Sequence, residues 1–140
     1  MVMTVHVDIV SAEKEIFSGS AEMVFAPAEL GEVGITPRHA PFITRLKPGE
    51  VRVKVSDTES HPFYVSGGML EVQPHLVTVL ADTAIRAKDI DEAAAIEAKA
   101  RAEEALVDKS GKIDYATAQA QLAEAIMQLR TLDRLRKRGV

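Results

Sequence analysis

Hydrophobic and polar residues alternate along roughly the first 85 positions, as expected for β-strands that bury one face. The alternation is clearest at positions 5–9 and 51–55. Five further runs have the same strand character, with turn-forming residues between many of them: positions 23–26, 42–46, 62–66, 69–73 and 76–81. Short strands separated in this way predict a β-sandwich or a small barrel.

The hydrophobic pattern changes after position 89, where proline is absent and alanine dominates. Asp89, with Glu92 three residues later, predicts the N-cap of a helix over about 91–106. Asp114 predicts the N-cap of a second helix, after a breaking segment that contains Gly111, where a hinge is expected. Two such helices form an antiparallel hairpin. Because alanine buries little apolar area, we expect this hairpin to be helical but weakly docked.

Composition narrows the possible classes of protein. The chain has 140 residues, 46% hydrophobic and 27% charged, which is typical of a globular protein. Its net charge of -4 argues against nucleic-acid binding. The absence of cysteine excludes disulfides, thiolate metal sites and cysteine nucleophiles. No apolar run is long enough to span a bilayer, so we expect no direct membrane insertion.

The segment GEVGITPRHAPF, positions 31–42, is the main candidate for chemistry. Glu32 and His39 are an acid and an imidazole close in sequence, which would suit general acid–base catalysis in a small hydrolase, but no nucleophile is evident beside them. Alternatively, its glycines form a tight turn and its prolines stiffen a loop that exposes Glu32, Arg38 and His39 as a contact surface. The four histidines lack metal-ligand spacing, so no metal site is predicted.

A cluster of cations closes the second predicted helix: Arg130, Arg134, Arg136, Lys137 and Arg138. Cations near a helix C-terminus interact favourably with the helix dipole. The cluster extends further than that role requires, so an acidic partner surface is the alternative.

Several motifs together resemble one family. The N-terminal stretch MVMTVHVDIVSAEKEIFSG, the segment GEVGITPRHAPF, the pair SGGMLEVQP and VTVLADTAIRA, and the alanine-rich hairpin are similar to the epsilon subunit of bacterial F-type ATP synthase. The resemblance implies a ten-stranded β-sandwich, expected at 1–86, followed by an antiparallel α-helical hairpin, expected at 87–140. It also implies a non-catalytic rotor subunit of the central stalk in a proton-translocating complex.

The resemblance further implies partners and sites. The sandwich would bind the gamma subunit and the c-subunit ring, with Glu32, Arg38 and His39 at the ring contact. The hairpin would inhibit ATP hydrolysis by extending into the alpha/beta catalytic hexamer, where the basic tail approaches an acidic segment of the beta subunit. The expected location is the cytoplasmic face of the bacterial plasma membrane, as a peripheral part of the complex.

Some family members bind ATP at the hairpin through a motif of the form I/L-D-x-x-R-A. Ile90 and Asp91 match this motif, but Ala94 stands at the arginine position, so we expect weak ATP binding or none, with Asp91, Arg101 and Arg130 as the remaining candidates. No other cofactor is expected. Two further functions remain open at this point: a free-standing nucleotide sensor, and the hydrolase that would use Glu32 and His39.

Overall fold

A computed structural model describes residues 2–107 and 115–137. Within these ranges, ten strands are followed by a 3-10 turn, Ala87–Asp89, and two helices. The strands are β1 Val5–Ser11, β2 Glu15–Ala21, β3 Met23–Ala28, β4 Gly31–Ile35, β5 Phe42–Leu46, β6 Gly49–Lys54, β7 Ser60–Val65, β8 Gly68–Val72, β9 Leu76–Ala81 and β10 Ala84–Arg86. The helices are α1 Glu92–Val107 and α2 Tyr115–Lys137.

The ten strands form one strongly curved sheet in the order β10-β7-β6-β3-β5-β8-β9-β1-β2, with β4 paired to β3 outside this path. The pairings are antiparallel except for that of β1 with β9, which is parallel. The two ends of the sheet meet where the Arg86 guanidinium of β10 donates a 2.7 Å hydrogen bond to the Ile16 carbonyl of β2. The sheet is therefore almost closed around its interior.

The interior is filled by valine, isoleucine, leucine and phenylalanine side chains from most of the strands. The largest fully buried members are Ile9, Ile35, Phe63 and Leu70. These residues occupy alternate positions along their strands, as the period-two pattern requires. The predicted fold class, a ten-stranded β-sandwich followed by a helical hairpin, is confirmed.

The structure adds strands that the hydrophobic pattern did not predict: β2, β4 and β10. The predicted tight turn at the glycines of GEVGI is wrong, because this stretch is strand β4 in a hairpin with β3. Gly34 lies within that strand, where a Cβ atom would stand 2.6 Å from the Cε atom of Met23. Because Gly34 has no side chain, the side chain of Met23 can approach the backbone of β4 closely.

Helix α1 begins two residues later than Asp89 predicts. The Asp91 carboxylate accepts a 3.1 Å hydrogen bond from the Ala94 backbone N–H, so Asp91 is the N-cap, while Asp89 belongs to the preceding 3-10 turn. The predicted cap at Asp114 and the hinge at Gly111 lie outside the described residues.

The helical hairpin packs mainly on itself, through buried alanines such as Ala95, Ala102, Ala118 and Ala125. Its contact with the outer face of β6 and β7 is small. A second hydrophobic cluster forms this junction, in which Tyr64, Ile90 and Leu132 are buried and Ile85 and Met127 pack against them. The junction is separate from the sandwich core.

Candidate functional site

The structure separates the acid from the imidazole of GEVGITPRHAPF. Glu32 pairs with Pro27 beside the turn of the β3–β4 hairpin, whereas Arg38 and His39 follow the far end of β4. From Glu32 to the end of β4 at Ile35 the chain advances three residues, at about 3.3 Å each. The strand alone therefore separates Glu32 from the loop with Arg38 and His39 by about 10 Å. Glu32 and His39 therefore do not form an acid–base pair, and the hydrolase interpretation has no site.

The loop that carries Arg38 and His39 is fixed by local hydrogen bonds. Arg38 adopts a left-handed backbone conformation, with φ of 62°, and its N–H donates to the Pro74 carbonyl at 2.9 Å. The Nδ1 atom of His39 lies 2.8 Å from the Ala40 carbonyl oxygen, and its ring centroid lies 6.3 Å from that of Phe42. This loop is a preformed surface at one end of the sandwich.

The turn of the β3–β4 hairpin, at the other end of β4, presents a different surface. Leu30 is 101% exposed and is flanked by the carboxylates of Glu29 and Glu32. Gly31, with φ of 135°, turns the chain into β4. A fully exposed leucine between two acids suits contact with another protein.

A third surface lies on the outside of β5, β8, β9 and β1, and we call it the outer apolar face. The ladder pairs Arg45 with Met69, Met69 with Leu80, and Leu80 with Val10, so these side chains share one side of the sheet. Ile43, two residues before Arg45, lies on the same side and is 65% exposed. Apolar residues at the outward positions of a strand were the signal in the sequence, and the sequence analysis missed it.

The basic tail lies against acids in the docked hairpin. The Arg134 Nη1 atom lies 3.9 Å from Glu50 Oε1 of β6, and the Arg136 guanidinium donates to Glu92 at the start of α1. Lys137 pairs within α2, at 3.1 Å from Asp133. We call Arg130, Arg134, Arg136 and Lys137 the basic end of α2; Arg138 lies outside the described residues.

The ion pair between the two helices changes the pKa of both of its members, Glu92 and Arg136. The hydrogen bond from Arg136 holds the pKa of the Glu92 carboxyl below its usual range, and the same bond raises the pKa of Arg136. Both groups therefore stay charged over the physiological pH range.

Of the three candidate nucleotide-binding residues, Asp91 and Arg101 line the same cavity and Arg130 does not. A cavity of about 680 Å³, mainly between α1 and α2, is lined by Asp91, Ala94 and Arg101, but also by Asp89 and Glu124. Arg130 lines a different groove, near Pro27 and Pro48. The carboxylates outnumber the single arginine of this cavity, which is unfavourable for a triphosphate.

Tyr64 occupies the centre of the junction between hairpin and sandwich. Its side chain is fully buried, and its hydroxyl has no hydrogen-bond partner among residues 2–107 and 115–137. Burial, and secondarily the nearby charge of Glu124, raise the pKa of this phenol well above its usual range. A buried hydroxyl without a partner lowers the stability of the docked hairpin.

In residues 2–107 and 115–137, no three histidine, aspartate or glutamate side chains are placed to hold a metal ion. Neither α1 nor α2 has the length and hydropathy that a membrane-crossing helix needs.

Comparison with known proteins identifies relatives over the whole chain. Residues 4–87 match the family model of the ATP synthase delta/epsilon chain beta-sandwich domain, and residues 88–133 match that of its long alpha-helix domain. The chain is 70% identical over 138 residues to the ATP synthase epsilon chain of Nitrosococcus oceani, covering 99% of both chains. It is 71% identical over 137 residues to ATP synthase epsilon chain 1 of Methylococcus capsulatus, covering 98% of both.

Solved structures share the fold at low sequence identity. The chain matches one chain of the Euglena gracilis mitochondrial ATP synthase structure (OSCP/F1/c-ring) with a TM-score of 0.68 and 18% identity, covering 98% of this chain and 82% of that one. It matches one chain of the Tetrahymena thermophila mitochondrial ATP synthase central stalk and c-ring with a TM-score of 0.61 and 12% identity, covering 93% and 97%.

Proposed function

The chain belongs to the delta/epsilon family of ATP synthase subunits, as a non-catalytic epsilon chain, and on this premise we propose how its two parts work. The sandwich couples the gamma subunit to the c-subunit ring, and the hairpin inhibits ATP hydrolysis by the alpha/beta hexamer. The subunit is a peripheral part of the rotor, on the cytoplasmic face of the bacterial plasma membrane.

The gamma subunit binds the outer apolar face. The exposed Ile43 and Leu80 and the half-buried Met69 and Val10 would be covered by such a partner, which removes apolar area from water. Arg38 and His39 lie in the loop that leads into β5, the strand that carries Ile43, so they lie at one end of this face. This placement supports a role for these two residues nearer to gamma than to the ring.

The ring contact is the turn of the β3–β4 hairpin. Leu30 lies in the two-residue turn and Glu32 just after it in β4, and five paired positions of the ladder hold this hairpin. A short turn on a closed sheet transmits force with little deformation, since interiors at crystal-like density have low compressibility.

One observation carries the inhibitory role of the hairpin. Within the described residues, the hydrophobic part of its junction with the sandwich buries only Tyr64, Ile90 and Leu132, whereas the sandwich core is formed without the hairpin. The hairpin can therefore leave its docked position without opening the core. Helix α2 has 23 residues and is about 35 Å long at 1.5 Å per residue, so the released hairpin reaches far from the sandwich.

The inhibitory role is tested by removing the hairpin from the assembled enzyme. ATP synthase is prepared with the full chain, with a chain ending at Lys88, and with a chain in which four tail cations are alanine: Arg134, Arg136, Lys137 and Arg138. We expect the truncated chain to raise the rate of ATP hydrolysis and to retain ATP-driven proton pumping. The neutralised tail should show a smaller rise.

The outcome separates the two roles. An unchanged hydrolysis rate after truncation would show that this hairpin does not inhibit. Loss of pumping with continued hydrolysis would show that coupling also needs the hairpin.

A further inference from the structure

The cations of the basic end differ in where their partners lie. Lys137 pairs with Asp133 four residues earlier in the same helix, so this pair moves with α2. Arg136 pairs with Glu92 of α1, and this pair moves with the hairpin as a whole. Arg134, in contrast, pairs across the junction, with Glu50 of the sandwich. Within residues 2–107 and 115–137, the Arg134–Glu50 pair is thus one that undocking of the hairpin must break.

Glu50 is unusual among the charged side chains because it is almost completely buried. Its side chain is 5% exposed, whereas that of Arg134 is 52% exposed. Glu50 stands opposite Tyr64 in the β6–β7 ladder, and Tyr64 belongs to the junction with α2. The carboxylate therefore lies on the outer surface of the sheet, under the docked helix.

The surroundings of this pair are mixed in charge. A groove of about 400 Å³ is lined by Phe25, Glu32 and Glu50 from the sandwich side, together with Arg52, and by Arg134 and Lys137 from α2. The guanidinium of Arg52 lies over the ring of Phe25, 4.2 Å from its centroid. When α2 leaves, this groove loses the cations of Arg134 and Lys137. Of the cations that line it, Arg52 then remains near Glu32 and Glu50.

We propose that Glu50 is an internal counter-charge that competes for Arg134 with the acidic partner surface, so that the hairpin offers its full basic end only after the Glu50–Arg134 pair has broken. Docking of the hairpin then depends on two contacts with the sandwich: the small hydrophobic junction and the charge of Glu50. The Glu50 carboxylate is buried and therefore poorly screened by solvent, so losing the half-exposed Arg134 weakens the compensation of its charge. The inference rests on the proposed function in one respect, that the basic end meets an acidic surface of the catalytic hexamer.

The test measures docking in the isolated full-length chain, without the enzyme. Because the chain has no cysteine, spin labels can be attached at Ala40→Cys in the sandwich and Ala123→Cys on α2 without other changes. Pulsed electron paramagnetic resonance then gives the ratio of undocked to docked molecules. The ratio is compared for the parent chain, Glu50→Gln, Arg134→Gln and the double variant, as a double-mutant cycle.

We expect Arg134→Gln to raise the undocked ratio, because Glu50 then keeps its buried charge without this cation. The effect of Arg134→Gln should be about threefold to tenfold larger when Glu50 is present than in the Glu50→Gln background. Added salt should raise the undocked ratio more in the parent chain than in the double variant, because screening weakens the pair.

The matched control is Glu103→Gln, which removes the same charge from a pair inside α1, where Lys99 Nζ lies 3.8 Å from Glu103 Oε1. This variant should leave the undocked ratio unchanged. The proposal would be overturned if Arg134→Gln changed the undocked ratio by the same factor with and without Glu50. It would also be overturned if Glu103→Gln changed the ratio as much as Glu50→Gln.

A second measurement uses the assembled enzyme and predicts opposite signs. Glu50→Gln should increase inhibition of ATP hydrolysis, because it releases Arg134, whereas Arg134→Gln should decrease inhibition, because it removes a partner contact. Decreased inhibition with Glu50→Gln would overturn the competition. The two proposals can fail separately. Unchanged hydrolysis after truncation at Lys88 would contradict the inhibitory function. A measured energetic coupling between Glu50 and Arg134 in the isolated chain would still support the internal pair.

Discussion

Replacing Tyr64 with phenylalanine should strengthen the docking of the hairpin. The substitution removes only the hydroxyl, and that hydroxyl is buried at the centre of the junction without a partner among the described residues. The ring remains and keeps its contacts with Ile90 and Leu132. In the undocked state the side chain of Tyr64 faces water, so the hydroxyl is then solvated.

The magnitude follows from the desolvation of one hydroxyl. Burying such a group without a hydrogen bond costs about 1–3 kcal/mol in proteins. The docked state of Tyr64→Phe should gain this amount relative to the undocked state. Since about 1.4 kcal/mol corresponds to a factor of ten, the undocked ratio should fall by about 5-fold to 150-fold.

The assay is the same label-to-label distance measurement in the isolated chain, with Leu132→Ala as the control of opposite sign. Leu132 is 9% exposed at the same junction, and its truncation should cost up to about 2–5 kcal/mol of docking. An undocked ratio that rises in Tyr64→Phe would refute the reasoning, because it would mean that the hydroxyl stabilises the docked state.

The raised pKa of Tyr64 adds a dependence on pH. The docked side chain keeps its proton above pH 10, whereas the exposed phenol loses it near its ordinary pKa of about 10. The stability of the docked state is therefore fully present below pH 10 and falls as the pH rises beyond it. This loss should be absent in Tyr64→Phe, as measured by the undocked ratio between pH 8 and 11.

Three further predictions concern the separate parts. A chain ending at Lys88 should unfold in one cooperative thermal transition, since the sandwich core needs no residue of the hairpin; a chain without a transition would contradict this. By calorimetric titration the isolated chain should bind ATP weakly or not at all at micromolar concentration, and Ala94→Arg should tighten any binding by about one to two decades; micromolar affinity in the parent chain would contradict it. Glu32→Lys and His39→Asp should impair assembly or proton pumping while leaving the melting temperature of the isolated chain almost unchanged; normal pumping in both would refute a coupling role for these surfaces.

Much of the fold was predictable from the sequence because alternation reports directly on burial. Where every second residue is valine or isoleucine, as in β1 and β6, the pattern identified the strand. It failed at β2 and β4, whose glycines and polar residues resemble turn sequences. At Gly34 the terminal methyl of Met23 lies close to the backbone, a contact with a neighbouring strand that no local pattern records. The division at 86/87 remains a prediction for the truncated chain to test.

The candidate site was less predictable, because its elements come together only through the sheet topology. Closeness in sequence suggested that Glu32, Arg38 and His39 share one surface, but strand β4 separates the first from the other two. The partners of the basic end were also invisible, since Glu50 lies 84 positions before Arg134 in the chain. Local patterns predicted the cations, and only the docked structure shows which acids they meet.

The parallel pairing of β1 with β9 determines when the sandwich can form during synthesis. His6 aligns with Leu76 and Ser11 with Ala81, so the first strand waits for residues about 70 positions later. Contacts this distant in sequence slow folding, whereas the helices contain mostly local ones and form faster. The hairpin is synthesised only after β9 and β10, the last strands of the sheet. Synthesis therefore delivers every residue of the slower-folding sheet before those of the hairpin, so the residues of the docking surface on β6 and β7 already exist when α2 is made.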